Sequence, residues 1–125
     1  MNTVKWILRL GIFATFLGHG MFAFYVKSSW IVYLTSLGFS ENQAIQLMPF
    51  IGILDFVVAL FALLKPLRIV LIWAFLWAFL TALVRPLAGE SIWDFVERGA
   101  NWATPLALLF LQGLPKRFKD LWKEE

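Results

Sequence analysis

The charged residues of this chain fall in clusters, and the clusters leave four long apolar tracts between them. The first is the clearest. From Leu10 to Val26 there are 17 residues without a formal charge, close to the roughly 20 that a helix needs to cross a bilayer. In lipid the backbone must satisfy its own hydrogen bonds, so tracts of this kind become helices. The composition agrees: 61% of the residues are hydrophobic and 15% charged, against about 25% charged in a typical soluble domain. The expected fold is all-α, a single integral membrane domain forming a membrane-spanning four-helix bundle. Its spans are expected at about 6–26, 43–64, 69–85 and 91–114, followed by a charged tail over 116–125.

Several function classes are set aside at this point. The chain has no cysteine, so disulfides, thiolate metal sites and thiol catalysis of its own are excluded. No metal site is expected. The net charge of +3 is no nucleic-acid footprint, because the basic residues flank the spans. The expected partner is the lipid bilayer, with further membrane subunits or a second copy of the chain as protein partners. Lys5 and Arg9 could form the basic region of a secretory signal. The apolar run is too long and too aromatic for that, and no clear small-x-small cleavage site follows.

Local signals place the element ends. Lys27 to Asn42 reads as a polar loop. Ser40 is the expected N-cap of the second span, with Gln43 at the capping-box position. Lys65-Pro66-Leu67-Arg68 is a very short turn. Pro66 is suited to open the third helix, and so short a link makes spans two and three antiparallel neighbours. Ser91, with Asp94 three residues on, is expected to cap the last helix. That helix would run to Leu114 before Gly113 and Pro115 stop it, giving 24 residues, about 36 Å.

Orientation follows from the distribution of Lys and Arg. Lys5, Arg9, Lys65, Arg68, Lys116, Arg117, Lys119 and Lys123 fall on one side, and Lys27, Arg85 and Arg98 on the other. Both termini are therefore expected in the cytoplasm, in a bacterial-type inner membrane. Trp6, Tyr25, Trp30, Tyr33, Trp93 and Trp122 fit interfacial belts.

Small-residue stripes mark the faces along which membrane helices pack. In the first span Ala14 and Gly18 are four apart, with His19 beside them. Gly52, Asp55, Ala59 and Ala62 share one face of the second. Ala74, Ala78, Thr81 and Arg85 share one of the third, where the tandem Trp73-Ala74-Phe75-Leu76 and Trp77-Ala78-Phe79-Leu80 reads as a small-residue seam with rings toward lipid. Asp94, Glu97, Asn101 and Thr104 run along the last helix. His19 is the only histidine. Ionisable groups at membrane depth are expensive and mark candidate sites. The candidates are His19, Asp55, Arg85, Glu97 and Asn101, converging in the outer half of the bundle. Plainer roles are also available: a structural hydrogen bond for His19, a structural hydrogen bond or ion pair for Asp55 with Arg85 or His19, a snorkelling cation for Arg85 or Arg98, and a helix-dipole contact for Asp94 and Glu97.

Leu8-Arg9-x-Gly11, Phe16 and His19-Gly20, followed by Gly52-Ile53-Leu54-Asp55 and Leu64-Lys65-Pro66-Leu67-Arg68, resemble the DoxX-like family of small membrane proteins over roughly residues 6–85. Asp55 stands where the family more often has Glu. Met21-Phe22-Ala23-Phe24 is wholly apolar where the family often carries a lysine. The stretch from Arg85 to Asn101 lies outside the common pattern. The family includes a subunit of a thiosulfate:quinone oxidoreductase and proteins associated with redox stress. The resemblance implies a redox-associated subunit, with Arg9, His19 and Asp55 at matching positions. A quinone-like or other lipophilic ligand is the first expectation, with haem behind it. A proton or small-solute carrier, or a structural partner subunit, are the alternatives. No motif assigns an enzyme class.

Overall fold

The computed structural model describes residues 2–124, and among them the chain is helical with no strand. Three helices are long and apolar enough to cross a membrane: α1 (Asn2–Phe24), α3 (Glu41–Leu64) and α4 (Arg68–Leu87). Between the first two lie a single 3-10 turn (Ser28–Trp30) and the short helix α2 (Ile31–Thr35). After α4 come α5 (Ile92–Val96), α6 (Gly99–Gln112) and a 3-10 segment (Phe118–Trp122). The loop expected over Lys27 to Asn42 is thus half helical.

The capping box at the start of α3 forms as expected. The Gln43 backbone N–H donates to the Ser40 side chain, and the Gln43 side chain accepts from the Ser40 N–H. Ser91 caps α5 by accepting from the Trp93 N–H, so the expected box with Asp94 is replaced by a shorter contact. Pro66 does not open the third helix. It lies in the link, and α4 begins two residues later.

The continuous helix expected over 91–114 is broken. The Arg98 guanidinium donates to the Asp94 carbonyl at 2.8 Å and to Glu97 at 2.9 Å, and Gly99, a weak helix former, follows. The chain turns at Arg98 and resumes as α6. With 14 residues, α6 is about 21 Å long, shorter than the roughly 30 Å hydrocarbon core.

α1 packs most extensively on α3, α4 packs on α6, and α6 also contacts α1. α3 and α4 touch only sparsely, although three residues join them. The core is Ile12, Phe16, Val58, Ala59, Ala62, Leu71, Ala74, Ala78, Leu108 and Leu109. The stripe predicted on α3 is the buried one: Gly52, Asp55, Ala59 and Ala62 all face inward. On α1 the prediction misses. Ala14 is exposed and Gly18 has open space beside it, while Ile12, Phe16, Gly20 and Ala23 are buried.

The closest helix approach is at Gly20 and Gly52. A Cβ on Gly52 would lie 2.6 Å from the Phe24 nitrogen and 2.8 Å from the Gly20 carbonyl oxygen. These are backbone atoms that cannot step aside, so only glycine allows α1 and α3 to meet there.

α1 ends in a Schellman arrangement. The Lys27 N–H reaches the Phe22 carbonyl and the Val26 N–H the Ala23 carbonyl. Val26 occupies the left-handed position of that motif with φ 55°, where glycine is the usual residue.

The opposite end of the bundle gathers the α1 N-terminus, the α3–α4 link and the C-terminal segment. Arg9 donates to the Leu63 carbonyl, placing a cation at the C-terminus of α3, where the helix dipole favours it. Arg68 is buried and donates to four carbonyls: Gly113 at 2.5 Å, Gln112 at 2.8 Å, and Asp120 and Lys123 at 3.4 Å each. Asp120 accepts from the backbone N–H groups of Lys116 and Arg117. Those bonds, led by that from Lys116, hold its carboxyl below the ordinary carboxylate range.

Candidate functional site

The sparse contact between α3 and α4 leaves a cavity of about 260 Å³. Its walls come from α1, the 28–30 turn, α2, α3 and α4. This is close to the lower end of the range for small-molecule sites, roughly 300–1,000 Å³. The walls are mostly apolar, and His19, Asp55 and Arg85 all line them. Three of the five sequence candidates thus share one cavity.

Asp55 is 2% exposed. It sits on the inward face of α3 because Gly52 lets α1 press against the same face. It is 14 residues into the helix, about 21 Å from the start of α3. The Trp77 indole on α4 approaches its carboxyl as a hydrogen-bond donor, and Oδ1 has no partner. The structure brings neither Arg85 nor His19 into ion-pair contact with it among the described residues.

Arg85 is also 2% exposed. It stands in the last turn of α4, where cations are favoured by the helix dipole. Its Nη1 donates to the Thr81 carbonyl one turn back at 2.5 Å, and its Nε has no partner. The guanidinium carbon lies 4.7 Å from the centre of the Tyr33 ring and 5.5 Å from that of Trp30, within cation–π range. The Glu90 carboxylate is engaged by the Tyr33 hydroxyl, which donates to Oε2 at 2.7 Å. Burial and that hydrogen bond push the Tyr33 phenol above its ordinary 10.0.

His19 meets the Trp30 ring edge-on at 5.6 Å. The site is therefore a layered one, with Asp55 and Trp77 deepest, Arg85 over Tyr33 and Trp30 above, and His19 on the α1 side.

The other two candidates lie elsewhere. Glu97 is exposed and paired with Arg98 at 2.9 Å. Asn101 is half-buried at the start of α6. No residue of α5 or α6 lines the cavity, because the break at Arg98 turns the charged end of the last segment toward the surface. Among the described residues, no group of three or more His, Asp or Glu is gathered where it could hold a metal.

Sequence reasoning missed Trp30, Tyr33 and Trp77 as wall residues. Trp30 and Tyr33 read as interfacial belt residues, although Tyr33, Leu34 and Leu37 already repeat at helical spacing. The Trp-Ala-Phe-Leu repeat was expected to point its rings at lipid. Trp73 is exposed as expected, whereas Trp77 lines the cavity, and Phe75 and Phe79 pack on Trp102. Ala74 and Ala78 form the expected seam.

No protein-family model matches the chain, and no curated protein or solved structure matches it either.

Proposed function

We propose that this chain is a four-span inner-membrane protein with both termini in the cytoplasm, similar to DoxX-like proteins, that binds a quinone-like lipophilic ligand in the cavity as a redox-associated subunit. One observation carries the reading. Two charged side chains, Asp55 and Arg85, are almost fully buried, line the same cavity, and each keeps a polar atom without a partner. A buried polar group without a hydrogen bond costs about 1–3 kcal/mol. A ligand that accepts from Arg85 Nε and exchanges a hydrogen bond with Asp55 Oδ1 removes both costs.

A ring with oxygens at opposite ends meets these demands. Trp30, Tyr33 and Trp77 supply aromatic faces for it, and the leucines of the wall suit its apolar body. Reduction of such a ring takes up two protons with two electrons. In this reading Asp55 and His19 hold the protons, Arg85 orients the ring, and a partner subunit supplies the electrons.

The test is binding by the purified chain in mild detergent. Lipid extracts are analysed by mass spectrometry, and a decyl-chain benzoquinone is titrated against tryptophan fluorescence. Saturable quenching, weakened tenfold or more by Arg85→Gln or Asp55→Asn, supports the reading. Tenfold corresponds to about 1.4 kcal/mol. Binding unchanged in both variants, or none at all, overturns it, and Asp55-dependent flux in liposomes would then favour a carrier.

A further inference from the structure

The leucines around the cavity point to how it is filled. Leu37, Leu80 and Leu87 line it, yet they are 58%, 53% and 66% exposed. They are both wall and outer surface, so they form the rim of an opening. Leu80 lies seven residues below Leu87, about 10 Å down α4. At that depth in a spanning helix the surroundings are acyl chains rather than water. The opening therefore runs down the side of the molecule as well as across its end. Its rim lies on α4 and just after α2, and α3, which is tied to α4 at the Lys65–Leu67 link and touches it only sparsely elsewhere, forms the wall behind it.

We infer that the cavity is a lateral binding site for a single-chain amphiphile, which enters from the bilayer across its leucine rim with its polar head at Arg85 and its chain over Leu80. This rests on the cavity being a ligand site and goes beyond it by fixing the ligand's build and route. The head must accept hydrogen bonds, because the Arg85 Nε–H is the unmatched donor at the outer level. The body must be an alkyl or isoprenoid chain, because the rim is leucine and offers no polar contact. A compact water-soluble molecule would leave the Leu80 opening unfilled. The chain passes the level of Asp55, whose carboxyl is otherwise closed off from the surface.

The burial of Asp55 makes the proposal testable. The full chain is reconstituted in phosphatidylcholine vesicles with palmitic acid bearing a diazirine at mid-chain, because Trp77 lies eight residues before Arg85 on α4, about 12 Å away. After irradiation the labelled residues are mapped by peptide mass spectrometry. Carbenes and diazo intermediates from alkyl diazirines react readily with carboxyl groups, so a chain in the cavity marks Asp55 or Trp77. A chain in the surrounding lipid marks exposed residues such as Phe50 and Phe110.

The expected result is label on Asp55 or Trp77 that falls tenfold or more in Leu80→Trp, while label on Phe50 and Phe110 is unchanged. A variant at the rim leaves the core intact, and the unchanged surface label confirms the fold. Label confined to exposed residues overturns the lateral route, as does cavity label unaffected by Leu80→Trp. Competition by the decyl-chain benzoquinone separates this inference from the ligand reading. Cavity label that the benzoquinone does not displace removes the quinone and keeps the lateral amphiphile site. A benzoquinone that binds saturably in the fluorescence titration, with no cavity label from the fatty acid, removes the lateral site and keeps the quinone.

Discussion

Asp55 and Arg85 face one cavity from two different helices, each 2% exposed, and no bond joins them. A fold that needed these charges only for stability would pair them. Left apart, each carries a cost that a hydrogen-bonding molecule in the cavity would remove.

The first prediction follows from that cost. Asp55→Leu keeps the branching at Cγ, can extend its larger methyl groups into the cavity, and removes the buried, unpartnered Oδ1. It should stabilise the chain by up to about 1–3 kcal/mol, less the hydrogen bond that the Trp77 indole loses, while abolishing ligand binding, the usual opposition between stability and a working site. Equilibrium unfolding in mixed detergent measures the first effect. A clear loss of stability would mean that the carboxyl is satisfied within the fold.

The glycines of α1 and α3 should rank in a fixed order. Gly52→Ala drives a methyl group into the backbone of α1 and should cost about 2 kcal/mol or more. Gly20→Ala meets the Phe56 ring at 2.7 Å and the Gly52 carbonyl at 3.1 Å. The ring can turn aside, so its cost should be smaller. Gly18→Ala meets nothing within 4 Å and should gain up to about 1 kcal/mol from helix propensity. The same unfolding assay gives the ranking, and a Gly18 variant less stable than the Gly52 variant would refute the packing described.

Val26 holds the left-handed position that ends α1. That conformation costs an L-residue roughly 1–2 kcal/mol. Val26→Gly should therefore raise stability by about 1 kcal/mol, less whatever the half-buried side chain contributes. A loss would show that the valine side chain outweighs its backbone strain.

Tyr33 offers a pH test outside the spanning helices. Its phenol is held above 10.0 by burial first and by the bond to Glu90 second. A raised folded value favours the neutral form. Its contribution to stability is therefore full below pH 10 and is lost as pH rises through the higher folded value. In a Tyr25→Phe background, ultraviolet titration should show one phenol ionising above pH 10, and Glu90→Ala should move it down. No movement would remove Glu90 as a cause.

The sequence was most legible where polarity or size contrasts were sharp. The Ser40–Gln43 box, the short α3–α4 link and the Gly52-Asp55-Ala59-Ala62 face all came from such contrasts. So did the gathering of His19, Asp55 and Arg85, which were singled out as ionisable groups in apolar tracts. α1 was misread because it is apolar on every side. In lipid an outward leucine and an inward isoleucine carry no signal, and Ala14 and Gly18 imitate a seam that Gly20 supplies. The break at Arg98 was hidden for another reason. Asp94, Glu97 and Arg98 fit a helical face, and only the capture of the Asp94 carbonyl by the arginine shows that the helix stops. Arg68 read as a topology signal, whereas its role is to bind carbonyls far along the chain.

That last role has a consequence for biogenesis. The Arg68 guanidinium takes its acceptors from residues that begin 44 positions further on. At a synthesis rate of about 5–20 residues per second, the arginine leaves the ribosome roughly 2–9 s before the first of those carbonyls does. During that interval α3 and α4 can already form a hairpin, but its turn carries a cation with no acceptors. The hairpin thus has a reason to stay near water or anionic headgroups until α6 arrives, and the docking of the C-terminal segment becomes the step that completes assembly.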